Sequence, residues 1–280
     1  MIQDMIIPDM KMLEKAKQTI SAQGKKRFHV IADFDRTLTK AFVDGQKCPT
    51  VIGQLRNGNY LASDYSSRAH ALFDKYYPIE TDPKLGREEK IPKMHEWWER
   101  QFKLLVECGL DKDVMKDIVS RKTLKFRDGA LEFIDLLHRK SIPLVIMSAG
   151  PGDMIREYLM QEGRLYNNVH VIANIFEFDR TGKVTGIREP IIHSMNKHET
   201  VVLNYPVFDI IKDRKNVLLL GDGPDDVGMV DGFDYDNMIK AGFLNENADE
   251  NIEQYKKNFD IVLLNDSDMG CVNSLLSEMF

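Results

Sequence analysis

Cysteine is scarce: Cys48, Cys108 and Cys271 are odd in number, far apart and without metal-ligand spacing, which fits a reducing compartment. No apolar run approaches the length of a membrane-crossing helix. The opening MIQDMIIPDM has acids and a proline where a signal peptide needs a basic flank and a long apolar core. Basic residues are neither in excess nor clustered. The 38 Lys and Arg against 44 Asp and Glu leave a net charge of −6, with no nucleic-acid footprint. Absent too are a G-x-x-x-x-G-K-[ST] phosphate loop, the spacing of a serine or histidine triad, internal repeats and low-complexity linkers. The expectation is a cytoplasmic, soluble chain with no membrane or nucleic-acid partner, a monomer or weak oligomer. With 43% apolar residues in 280, it can bury a sizeable core as one large domain or two modest ones.

The stretch Phe28–Thr39, FHVIADFDRTLT, organises the rest. Its apolar run Val30-Ile31-Ala32 reads as a buried strand of a parallel sheet and ends at two carboxylates, Asp33 and Asp35. The carboxyl rim of such sheets is where α/β proteins bind ligands. Two acids there repel one another, and a divalent cation is the simplest compensation.

Taken in order, Asp9 is placed to cap a helix over about Met10–Gln23, which Gly24 stops. From about Cys48 to Lys125 helical periodicity replaces strand-like runs. Ser63 caps one expected helix, a second runs from near Pro92 to Cys108 with Trp97 and Trp98, and Asp111 caps a third. A helical insert at this point can act as a lid over the rim. Asp128 then reads as the N-cap of a helix over about Gly129–Lys140, and Pro143 opens the strand LVIM, which leads into Ser148-Ala149-Gly150-Pro151. A hydroxyl and backbone N–H groups between a strand end and a helix start make an anion site. HVIANIFEFD and KVTGI, about a turn at Arg180-Thr181-Gly182, read as a hairpin. Lys197 and His198 precede an expected helix. Asn216–Leu220 is the clearest buried strand and runs into GDGPDD, with Asp222 and Asp226. Strand and helix alternate to the end, so the class is α/β with one interrupted domain.

In a parallel sheet, Asp33/Asp35, Ser148, Lys197 and Asp222/Asp226 converge on one edge. That set suits phosphoryl transfer through an aspartyl phosphate. A carboxylate attacks, Mg²⁺ sits between carboxylates and phosphate, a hydroxyl, an ammonium and amides hold the equatorial oxygens, and a second acid serves the leaving group and water.

DFDRTLT, SAG, Lys197 and GDGPDD resemble the four motifs of the haloacid dehalogenase-like phosphatases. CPT at Cys48–Thr50, KYYPIETDP at Lys75–Pro83, MHEWW, MSAGPGD, NKH at Asn196–His198, and AGFLN followed by FDIVL are similar to the cytosolic 5′-nucleotidase III (pyrimidine 5′-nucleotidase) family. The resemblance implies a Rossmann-like parallel sheet core with an inserted helical cap, residues 46–125 forming the cap and 1–45 with 126–280 the core. It implies Asp33 as nucleophile and metal ligand, Asp35 as acid/base and metal ligand through its carbonyl, Asp222 as metal ligand and Asp226 behind them. Ser148, Ala149 and Lys197 would hold phosphate, and Glu80 would read the base. The implied substrate is a nucleoside 5′-monophosphate, CMP and UMP first and 7-methylguanosine monophosphate second. Gln101 stands where the family often has serine, and Asp225 replaces a glycine of GDxxGD, adding a negative charge near the metal. Trp98 falls where members favouring 7-methylguanosine monophosphate carry tryptophan, and an aromatic face opposite an acid suits a cationic base.

Overall fold

The computed structural model describes residues 5–82, 84–197, 205–232 and 234–280. The chain opens with β1 (Met5–Ile6) and α1 (Met10–Gln23), then enters β2 (Phe28–Ala32). A short hairpin follows, β3 (Phe42–Val43) and β4 (Gln46–Lys47). Four helices come next: α2 (Val51–Asn57), α3 (Tyr65–Thr81), α4 (Arg87–Glu107) and α5 (Lys112–Ser120). Alternation resumes with α6 (Ala130–Lys140), β5 (Leu144–Pro151), α7 (Gly152–Gln161) and β6 (Val169–Asn174). A second hairpin, β7 (Phe176–Phe178) and β8 (Val184–Ile187), leads to α8 (Phe208–Ile211) and β9 (Asn216–Gly221). The remainder is β10 (Asn237–Leu244), α9 (Ala248–Asn258), β11 (Ile261–Leu264) and α10 (Gly270–Met279).

Seven strands form one sheet in the order β1-β11-β10-β9-β2-β5-β6, all pairs parallel except β1 with β11. The strands flanking the centre are buried on both faces, and their side chains divide by the two-residue period of a strand. Val30, Ala32, Leu144, Ile146, Leu218 and Leu220 join the core on one face. Ile31, Val145, Met147, Val217 and Leu219 join the core on the other. After β2 the chain passes to β5 on one side and later to β9 on the other. The reversal of strand order therefore falls at the carboxyl end of β2, where α/β sheets open a crevice.

Several local expectations meet their structural reason here. The Asp9 side chain accepts from Met12 N–H at 3.0 Å and Asp111 from Val114 N–H at 2.8 Å, so both caps form as the sequence suggests. Asp128 does not cap α6. It pairs with Lys40 at 2.6 Å, and Gly129, at φ +80°, makes the turn into the helix. Helix α3 starts at Tyr65, after Asp64 instead of Ser63. Helix α4 starts at Arg87, five residues before Pro92, because the Glu89 side chain accepts from Gly86 N–H at 3.0 Å and closes the first turn ahead of the proline. HVIAN is no hairpin arm: it is the sheet strand β6, and only β7 and β8 form the hairpin. The helix expected after Lys197, and His198 itself, lie outside the described residues. Helices α3 and α4 pack together, while Val51, Leu55, Phe102 and Ile118 share the core cluster of β2 and β5, so the inserted helices are anchored on the sheet. Among the described residues no helix is long and apolar enough to cross a membrane.

Candidate active site

Strand register brings the acids together. Ala32 pairs with Leu220 of β9 and with Ile146 of β5, so Asp33, Gly221-Asp222 and Met147-Ser148 lie at one level. Asp33 N–H donates to Leu220 O at 2.9 Å, which locks that alignment. Lys197 arrives from the loop after β8, not from a strand end. Its Nζ donates to Asp33 Oδ1 and, at 2.9 Å, to Asp226 Oδ1. Carboxylate oxygens of Asp33, Asp222 and Asp226 lie within 4.8 Å of one another.

The three acids differ in what they have left to offer. Asp226 is saturated: one oxygen takes Lys197 and the other accepts from Asp222 and Gly223 N–H, each at 3.0 Å. That turn is tight enough that a Cβ on Gly221 would stand 2.5 Å from the Cβ of Asp226, so only glycine fits there. The Asp222 carboxylate accepts no hydrogen bond among the described residues. Its carbonyl is held by the Tyr255 hydroxyl. Asp35 Oδ1 accepts from Val51 N–H, the first residue of α2, at 2.9 Å.

Charge at this rim is under-compensated. Burial pushes the Asp33 carboxyl up to about 6, with Asp226 adding to the rise and Lys197 opposing it. Burial, then Asp226 and Asp33, raise Asp222 well above the usual carboxylate range. Asp35 is pushed up to about 7 by burial and by Asp33, against the Val51 N–H. Burial alone would lower the Lys197 ammonium, but Asp226 and Asp33 outweigh it and hold it above its ordinary value. Clustered carboxylate oxygens around one ammonium, with Asp222 unengaged, are the donor set of a hard divalent cation.

Ser148 is buried, its Oγ accepting from Gly150 N–H at 3.0 Å, while Ala149 O takes Asn174 Nδ2 at 2.7 Å. Glu80, near the end of α3, accepts from the Ser194 hydroxyl at 2.5 Å, and burial raises its carboxyl while Ser194 and Lys90 oppose the rise. Ser194 lies three residues before Lys197, and Met195 between them packs with Tyr76, Met94 and Trp97 of the inserted helices. Trp97 is thus core, stacked on Tyr76 with centroids 5.9 Å apart, whereas its neighbour Trp98 is half-buried beside Phe102 at 5.4 Å. Gln101 is buried and donates to the Tyr65 hydroxyl at 3.0 Å. Asp225 is exposed and outside the acid cluster, and the group that feels its charge is Glu80. Sequence reasoning missed Arg127, Ser194 and Asn245, polar residues with no motif spacing whose partners are remote in the chain.

Fold and rim together define a phosphatase of the haloacid dehalogenase-like class. Two solved phosphoserine phosphatases, 14% and 16% identical, share that fold at a TM-score of 0.53. A family model described as Pyrimidine 5'-nucleotidase (UMPH-1) matches residues 36–280, and the chain belongs to that family. The protein is a 5′-nucleotidase, a phosphoric monoester hydrolase. The 7-methylguanosine phosphate-specific 5'-nucleotidase A of Xenopus laevis is 38% identical over 258 residues, 92% of this chain and 89% of its own. The Homo sapiens 7-methylguanosine phosphate-specific 5'-nucleotidase is 35% identical over 257 residues, 91% and 86% of the two chains. The crystal structure of cytosolic 5'-nucleotidase IIIB bound to cytidine matches at a TM-score of 0.91, with 29% identity over 99% of this chain and 94% of that one.

Proposed function

We propose that the protein hydrolyses nucleoside 5′-monophosphates with 7-methylguanosine monophosphate preferred and CMP and UMP second, the reverse of the order expected from sequence. The observation that carries the preference is the half-buried Trp98, on the helix paired with the one that bears Glu80. A methylated, cationic base gains from an aromatic face and a nearby carboxylate, where a neutral pyrimidine does not. The names of the relatives from Xenopus laevis and Homo sapiens support the same preference. In this reading residues 46–125 are the cap, and 1–45 with 126–280 the core. Gln101, held inside by Tyr65, acts on the base through packing.

Asp33 attacks phosphorus and forms an aspartyl phosphate. Asp35 first protonates the departing 5′-oxygen, then takes a proton from the water that attacks the intermediate. A carboxyl near 7 suits both steps, because proton transfer is most efficient when the pKa lies near the working pH. The Val51 N–H orients it. The Lys197 ammonium, Ser148 hydroxyl and Ala149 N–H hold the phosphoryl oxygens as charge spreads. Asp33, Asp222 and the Asp35 carbonyl would hold Mg²⁺, with Asp226 fixing the turn behind them. When bound, the ion supplies positive charge against the phosphoryl oxygens.

The deciding measurement is kcat/KM for 7-methylguanosine monophosphate against CMP. A ratio above one supports the preference, and a tenfold advantage for CMP overturns it. Release of phosphate from neither ester would remove the nucleotidase mechanism as well. Replacing Trp98 by leucine should lower the methylated-to-pyrimidine ratio by about tenfold, the scale of a cation–π contact of roughly 1–2 kcal/mol. Cation binding has its own readout in stability. Mg²⁺ at about 100 times its Kd should add about 2.7 kcal/mol, several degrees in Tm. Asp222→Asn should abolish that rise and, by removing one of the repelling acids, leave the metal-free protein no less stable than the parent. A full Mg²⁺ shift in that variant would show that Asp222 is not a ligand.

A further inference from the structure

Arg127 has the largest of the fully buried side chains, and the mechanism above gives it no task. Its position is unusual for a cation. Nε donates to Thr37 O at 2.8 Å and Nη1 to Ser267 O at 2.6 Å, and Nη1 also forms an ion pair with Asp266 Oδ1 at 3.0 Å. Nη2 donates to Arg36 O and, at 3.0 Å, to Asn245 Oδ1. A guanidinium carries five N–H donors in a rigid plane, and here it makes four hydrogen bonds and an ion pair with Asp266. The acceptors belong to three segments: the turn after Asp35, the end of β10 and the end of β11. The plane also stacks over Phe243, 4.2 Å from the ring centroid.

These contacts converge on one turn. Arg36 sits in the left-handed region at φ +62°, sparsely populated for a residue with a side chain, so something must hold it. Its carbonyl is caught twice, by Arg127 and by Asn245 Nδ2 at 3.1 Å. Arg127 N–H also donates to Leu38 O at 2.9 Å. Asp266, paired with the guanidinium, accepts from Ala41 and Phe42 N–H at 2.9 Å each and so fixes the start of β3. The turn from Arg36 to Leu38 is thus held from behind by Arg127 directly, and Ala41 and Phe42 through its partner Asp266.

We propose that Arg127 is a positioning residue for phosphoryl transfer. It holds the Arg36–Thr37 turn so that Asp33 and Asp35 meet the phosphate at the correct separation. The inference rests on the roles given above to those two acids. It predicts a loss in kcat with little change in KM, since substrate would still bind to Lys197, Ser148 and the cap while the attacking groups wander.

The experiment compares kcat and KM, normalised to the folded fraction by near-ultraviolet circular dichroism, for the parent, Arg127→Lys, Asn245→Ala and Leu137→Ala. The last empties a buried core position on α6, a residue with no role in the mechanism above, and serves as the control for lost core packing. Expected are a loss of kcat of at least 30-fold in Arg127→Lys and three- to tenfold in Asn245→Ala, with KM within threefold, and parental kcat in Leu137→Ala. Should Arg127→Lys fail to fold, Asn245→Ala decides alone: a kcat loss of at least threefold with Tm within a few degrees supports the role. Parental kcat in Asn245→Ala and in any folded Arg127→Lys, or an equal kcat loss in the Leu137→Ala control, overturns it. An inactive parent would instead refute the nucleotidase mechanism, so the two failures are distinguishable.

Discussion

Asp33→Asn should lower turnover by roughly 10⁴-fold or more, the usual consequence of removing a covalent nucleophile, while the protein stays folded. Asparagine has the same shape and can still pack at the end of β2, where the backbone N–H bond to Leu220 is untouched. Lys197 keeps Asp226 as a partner. What disappears is the oxygen able to bond to phosphorus. Parent enzyme quenched in mid-turnover should carry acid-stable, hydroxylamine-labile phosphate on Asp33, and Asp35→Asn should slow both its formation and its release, because the departing oxygen lacks its acid and the attacking water its base. Turnover within tenfold of the parent in Asp33→Asn would displace the nucleophile to another residue.

Lys197→Met should produce the largest loss of stability, roughly 3–5 kcal/mol, the cost of leaving buried carboxylates without their cation. Asp33 and Asp226 both depend on that ammonium, and only 8% of the lysine is exposed. The pH dependence has a definite sign. Losing Lys197 raises the folded-state pKa of Asp33 beyond its present value of about 6, further above that of the unfolded chain. A carboxyl with a raised folded pKa binds more protons when folded, so folding is favoured as pH falls through that value. The deficit of Lys197→Met relative to the parent should therefore shrink between pH 8 and pH 5. Paired urea titrations across that range measure it, and a deficit that is constant or grows on acidification would mean that the lysine is not neutralising these carboxylates. Activity should fall with stability, since the same ammonium is the one proposed to hold the phosphoryl oxygens.

The two experiments address residues that differ in how legible they are. Asp33 announces itself: an apolar run that ends in DFD can be read as a strand meeting a rim. Lys197 has no such local sign, being a lysine in a loop with an irregular approach, and gains weight only from the company of the acids and from the family motif. Arg127 is less visible still. Nothing near it in the chain tells that its guanidinium reaches residues 36, 37, 245, 266 and 267. Asp128 shows the opposite error, a residue with good capping chemistry drawn away by Lys40. Asp225, which sequence reading puts near the cation, is exposed and outside the acid cluster.

The sequence alone determined what depends on neighbours a few residues apart: the bounds of α1 and its Asp9 cap, the strands β9 and β11, the alternating order, and the acids at strand ends. Those follow from periodicity and capping, which act over one or two turns of chain. Only the tertiary structure decided which acids remain unengaged, that Asp226 is saturated by Lys197 and two amides, and that Met195 and Ser194 tie the inserted helices to the loop that carries Lys197. Contacts between groups as far apart in the chain as Lys197 and Asp33, or Ser194 and Glu80, depend on how strands register and helices pack, and that information is held by the fold as a whole.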